Sequence, residues 1–194
     1  MPEKTFVENH KNLIHVSIHA GVGAGIILDH HLYTGLAGTA GEAGHMIVQP
    51  GGRSCPCGNH GCLEQYISEP AVLSRYRELS GRTTVSIDDL VWAYNQKETA
   101  ALAVTDEFTT YLACGINNLW NLFSPECIIL NSQLTAYLPQ LLPEILQKLS
   151  PRFRATCHLK LSTLQDTGVL LGAARVCISK YLGTEKLYFS GLQP

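Results

Sequence analysis

No apolar run in the sequence approaches the roughly 18–20 residues that a membrane-spanning helix needs, so membrane insertion is not expected. Charge is sparse and almost balanced: 14 Lys and Arg stand against 16 Asp and Glu, 15% of residues are charged, and the net charge is −2. Without a basic excess there is no surface to neutralise phosphates, and direct nucleic-acid binding by these residues is not expected. No internal repeat or low-complexity segment occurs, which argues against a solenoid. No secretory signal peptide is visible, and four of the seven Cys are scattered among apolar residues. That pattern points to reduced thiols and a cytoplasmic location. What remains is 194 residues at 45% hydrophobic content, enough for one globular domain with its own core or for a lobe of a larger protein.

The chemistry concentrates in Gly41 to Ser68, GEAGHMIVQPGGRSCPCGNHGCLEQYIS. His45, Cys55, Cys57 and Cys62 give the spacing H-x9-C-x-C-x4-C. One imidazole and three thiolates match the ligand set of a tetrahedral structural zinc. Gly51, Gly52, Gly58 and Gly61 let the backbone fold tightly around a small ion, and Pro56 stiffens the turn between two thiols. Four protein ligands leave no open position, so such a Zn2+, one per chain, would hold shape and would not activate water. The plainer alternative is a turn-rich loop of reduced cysteines. Three Cys within eight residues and a His ten residues upstream argue against it. A disulfide reading fails on the odd count and the expected compartment.

GEAGH followed by CPCGNHGCLE resembles the signature of the ROK family, which groups bacterial sugar kinases with sugar-responsive transcriptional repressors. CGNHGCLE and NLFSPECIIL resemble the repressor branch of the NagC and Mlc type. The similarity runs from about Asn12 to the C-terminus. It implies the second lobe of the actin-like, hexokinase-like (ribonuclease H-like) fold. It further implies that Glu42, His45 and Glu64 contact sugar hydroxyls, with His45 also on the zinc. Carboxylates suit that role because each accepts several hydroxyl hydrogen bonds. The plainer reading of Glu64 is a solvent-facing acid in a helix's first turn. The implied partners are a sugar or sugar phosphate effector and a second copy of the chain. A sugar-transport phosphotransferase subunit is another implied partner, and operator DNA would be reached only through an N-terminal winged helix-turn-helix.

Departures from the kinase pattern are as informative. ROK kinases place a Gly-Thr pair before the GVGAG run, and here His19-Ala20 stands there. They place a glycine-rich turn where this chain has Asn131-Ser132-Gln133. The first lobe's phosphate loop, its catalytic Asp and the repressors' winged helix are not found, and Glu8-Asn9-His10 matches the catalytic motif only by coincidence. The expectation is a single lobe over 1–194, the effector and oligomerisation part of a regulator, with no kinase activity. The alternative is a fragment of a sugar kinase that phosphorylates a hexose with ATP.

Periodicity supplies the elements. Asn12–Ile18 alternates and reads as a strand, Gly21–Gly25 as a turn, Ala24–Leu28 as a second strand, and Leu32-Tyr33 as a returning one. Leu63–Leu79 reads as helical with a break at Glu69-Pro70, and Ile87–Asn95 as a helix capped by Ser86. Thr99–Phe123 carries an apolar stripe at spacings of three and four and reads as one long helix that Ser124-Pro125 ends. A buried strand at Cys127–Leu130, a helix starting at Pro139 or Pro143, a strand at His158–Leu164 and a helix at Gly168–Tyr181 complete an α/β pattern. Gly172 inside that last helix is expected to mark close packing.

Overall fold

The computed structural model describes residues 10–164 and, beyond them, only Thr167, Cys177, Tyr181 and Gly183. The expected helix at Gly168–Tyr181, with Gly172, and most of the N-terminal lead-in lie outside the described residues. One unit extends to Thr163, and a second begins at Leu164. The first is the fold described below.

Alternation builds the sheet. In β1 (Leu13–Ile18), Ile14, Val16 and Ile18 are buried in the main core, while His15 and Ser17 are half-buried. β1 turns back antiparallel onto β2 (Val22–Leu28), and β2 pairs antiparallel with the short β3 (His31–Leu32). Asp29 and His30 make that second turn with positive φ of 48° and 65°, a conformation that short polar side chains tolerate. On its other side β1 pairs parallel with β4 (Cys127–Ser132), and β4 pairs parallel with β5 (His158–Leu161). The order is therefore β3-β2-β1-β4-β5. Parallel neighbours need long crossovers, and the helices lie in those crossovers.

Between β1 and β4 run α1 (Glu64–Ile67), α2 (Glu69–Ser80), α3 (Ile87–Asn95) and α4 (Thr99–Phe123). The break expected near Glu69-Pro70 falls at Ser68, whose ψ of 153° leaves the helix and whose hydroxyl caps α2. Ser86 and Asp89 form a reciprocal capping box on α3. The stripe of α4 is Val104, Phe108, Leu112, Ile116 and Leu119, all buried. Full burial of each large side chain contributes about 1.5–3 kcal/mol. Ser124 ends α4 in a left-handed conformation, φ 45° and ψ 50°. Among the described residues, no helix is long and apolar enough to cross a membrane.

The structure moves several boundaries. β2 begins at Val22, not Ala24, because Gly23 and Gly25 are strand residues paired with Ser17 and His15 of β1. The Ala24 amide donates to the Gly41 carbonyl at 2.7 Å, and Gly41, with φ of 91°, has no room for a Cβ against the Ala24 carbonyl. β4 continues through Asn131 and Ser132, which pair with Ser17 and Ile18, so the expected turn is strand. α5 (Gln133–Tyr137) follows directly. α6 (Leu141–Lys148) starts between the two prolines, with Pro143 in its first turn, where no hydrogen-bond donor is lost. α7 (Pro151–Thr156) has Ser150 as its cap and Pro151 at its first position, a signal the periodicity did not reveal. β5 stops at Leu161, three residues before the expected end.

Candidate metal centre

The loop from Ile47 to Cys62 folds as a tight, glycine-hinged hairpin. Isolated bridges join Ile47 to Cys62 and Ser54 to His60. Backbone amides knit its inside: Cys55 N donates to Asn59 O at 2.9 Å, Gly58 N to Cys55 O at 2.9 Å, and Gly61 N to Arg53 O at 2.7 Å. Gly61 has φ of 80°, and a Cβ there would run into the Gln49 carbonyl. No other residue type fits that position without moving the Gln49 backbone beside it.

This folding brings the four sequence-identified residues together. Their donor atoms, one each from His45, Cys55, Cys57 and Cys62, all lie within 4.8 Å of one another. Cys55 Sγ is 3.7 Å from His45 Nδ1, and Cys57 Sγ is 3.7 Å from Cys62 Sγ. Donors around one tetrahedral zinc, with Zn–S of about 2.3 Å, stand about 3.8 Å apart. The cluster therefore fits a small tetrahedral ion. Its thiols are not equivalent. Cys57 is exposed and its thiol is lowered to about 7, first by the Asn59 amide and then by the Cys55 thiol. Cys62 is buried, and burial followed by the neighbouring thiols pushes it up to about 12. A bound cation would favour the thiolate form of every sulfur in the set.

His45 faces two ways. While Nδ1 looks at Cys55, Nε2 lies 3.8 Å from Glu42 Oε2. Glu42 and His45 flank a single 3-10 turn at Ala43–His45, and the Glu42 side chain is 71% exposed. Glu64 is not simply a solvent-facing acid. Its Oε2 accepts a 3.0 Å hydrogen bond from the Val22 amide, which fixes the carboxylate against the β1–β2 turn. Gly44 in turn packs on the Val22 carbonyl, and Leu63 N donates to Met46 O at 2.8 Å. Residues 42–46 and 62–64 thus run beside each other, with Val22 between them.

Five supporting residues carried no legible motif. Arg53 donates from Nη1 to the Gln65 carbonyl at 2.7 Å and pairs through Nη2 with Glu107 of α4. Its guanidinium lies 4.5 Å from the Tyr66 ring centroid, and Tyr66 stacks on Tyr111 at 4.0 Å. Gln65 Nε2 lies 3.7 Å from Cys55 Sγ. Arg53 is the lone Lys or Arg between Gly41 and Ser68, and its partner is 54 residues away. The His19 ring, in the β1–β2 turn, lies with Nδ1 3.5 Å from Glu69 Oε1.

Comparison with known proteins places this geometry in a lineage. The profile described as "ROK family" matches residues 3–180. The xylose repressor of Bacillus spizizenii is 34% identical over 191 residues, covering 95% of this chain and 49% of the relative. The DNA-binding transcriptional dual regulator NagC of Escherichia coli is 34% identical over 138 residues, covering 67% of this chain and 34% of the relative. A glucokinase of Halalkalibacterium halodurans is 30% identical over 181 residues, covering 84% and 55%. The solved structure of a ROK family transcriptional regulator, a homologue of the E. coli MLC protein, superposes with a TM-score of 0.66 at 31% identity, covering 78% of this chain and 41% of that one. The chain spans about half the length of the curated relatives it matches. With its α/β sheet, its Cys-rich hairpin and a match over 3–180, this chain belongs to the ROK family.

Proposed function

We propose that the chain is the sugar-sensing effector and self-association lobe of a ROK transcriptional regulator of the NagC and Mlc type. The observation that carries this reading is the two-faced placement of His45 between Cys55 and Glu42. We assign Zn2+ to His45, Cys55, Cys57 and Cys62, as a structural ion. With Nδ1 committed to the metal, the hydrogen of His45 sits on Nε2 and points to the Glu42 side. Glu42 and Glu64 then accept sugar hydroxyls while His45 donates to one. Each of these residues binds or orients; none takes a substrate proton.

The lobe covers 1–194 in this reading, it pairs with a second copy, and DNA contact belongs to a winged helix outside it. The repressor names among the relatives and the His19-Ala20 pair support a regulator without kinase activity. A sugar-kinase fragment is the second reading, favoured by the glucokinase of Halalkalibacterium halodurans among the relatives. Coupled ADP-release assays and calorimetry with xylose, glucose and N-acetylglucosamine separate the two. The regulator reading expects weak sugar heat that Glu42→Gln reduces, and background ADP release with every sugar. Sugar-dependent ADP release that Glu42→Ala abolishes would establish the kinase reading instead.

A further inference from the structure

We infer that Arg53 and Glu107 are positioning residues for the metal loop, which together set how tightly the four-ligand cluster holds its ion. The inference rests on reading His45, Cys55, Cys57 and Cys62 as a metal site. It adds an anchor on α4 that lies far from them in sequence.

Backbone hydrogen bonds close the loop on itself, and Arg53 adds side-chain ties to the rest of the fold. Between Pro50 and Cys62 it contains four glycines, and Cys57 is exposed. An unanchored glycine-rich loop would have to lose its conformational freedom when the metal binds, and that cost would appear as weaker affinity. Arg53 removes much of the freedom beforehand. It stands two residues before Cys55, and its carbonyl accepts from the amide of Gly61, the residue before Cys62. Its own amide donates to Tyr66 Oη at 2.9 Å. Its guanidinium grips the Gln65 carbonyl, three residues after Cys62, at 2.7 Å. One residue therefore ties the segment that brings in Cys55 and Cys57 to the segment that carries Cys62.

Glu107 fixes that residue to the body of the fold. One carboxylate oxygen pairs with Arg53, and the other accepts from Arg75 Nε at 3.1 Å, so the loop and α2 hold this α4 carboxylate from two sides. The planar guanidinium, stacked on Tyr66 and forked between two acceptors, is a geometry that a lysine cannot reproduce. The Arg53 and Glu107 side chains are 34% and 22% exposed, so solvent screens their attraction. Their effect is to fix geometry, and ligand-supporting residues of this kind typically change metal affinity by roughly 10–100-fold.

The test uses the whole 194-residue chain. Metal-free protein is titrated with Zn2+ against a chelator, and with Co2+ to read the sulfur-to-cobalt absorption band. The variants are Arg53→Met, Arg53→Lys, Glu107→Gln and the Arg53→Met/Glu107→Gln pair, each checked for native circular dichroism. Arg53→Met and Glu107→Gln are each expected to weaken binding by roughly 10–100-fold and to alter the cobalt band. The double variant is expected to lose little more than either single one, the signature of residues acting as a unit. Arg53→Lys serves where Arg53→Met fails to fold, and is expected to bind more weakly than the unsubstituted chain. Folded variants with unchanged affinity and an unchanged cobalt band would overturn the positioning role and leave the metal site standing. A natural chain that takes up no metal would instead remove the metal reading itself.

Discussion

Glu64 is the residue at which structure adds most to sequence. Its place after Cys62 suggests either a sugar contact or a helix-start acid, and both readings treat the side chain as pointing outward. The structure adds that Glu64 accepts the Val22 amide at 3.0 Å through Oε2 and is half-buried. Removing the carboxylate strands that amide, and a buried donor left without an acceptor costs about 1–3 kcal/mol. Glu64→Ala is therefore expected to destabilise the fold by about that amount in denaturant unfolding. Glu64→Gln keeps an acceptor oxygen and is expected to lose less. Equal stability of the two variants would mean that Val22 finds water instead. The clustering of His45, Cys55, Cys57 and Cys62 was legible because four residues of ligating type sit within 18 positions of one another. The Arg53–Glu107 pair was not legible, since nothing in a lone Arg names a Glu on a helix 54 residues away.

Among the elements, α3 offers the clearest test of capping. Ser86 Oγ accepts from the Asp89 amide at 3.1 Å, while Asp89 Oδ2 accepts from the Ser86 amide at 2.8 Å and from its hydroxyl at 2.7 Å. These bonds, the Ser86 hydroxyl foremost, hold the Asp89 carboxyl below its usual value. A carboxyl with a depressed folded-state value adds stability that is present above its unfolded value of about 3.9. That stability is lost as pH falls through the lower folded value. Ser86→Ala is expected to cost about 1 kcal/mol at neutral pH, and the gap to the unsubstituted chain should narrow toward pH 3. A gap independent of pH would remove Asp89 from the account. This helix was readable from its Ser86 cap, and α4 from its apolar period and the Ser124-Pro125 stop. α7 was missed because six residues are too few to show a period, although Ser150-Pro151 carried its start signal. The start of β2 was misplaced because its glycines look like a turn, and only their pairing with β1 shows them as strand.

At the scale of the molecule, strand content was legible and strand order was not. Placing β4 beside β1, between it and β5, depends on packing the helices of the crossovers, which no local pattern encodes. The resemblance to the ROK family supplied the fold class in advance, though not the strand order, and the sheet and the relatives agree with it. The central claim is that one metal ion orders the Cys-rich hairpin and so presents His45 beside Glu42. Metal analysis of the purified chain tests it most directly, paired with the thermal unfolding of Cys57→Ser. Cys57 is the exposed thiol of the set, so its replacement disturbs packing least while removing one ligand. The account predicts about one zinc per chain and its loss in Cys57→Ser, together with a clear fall in Tm. A chain that purifies folded and free of metal, or a Cys57→Ser variant that keeps its full zinc content, would contradict it.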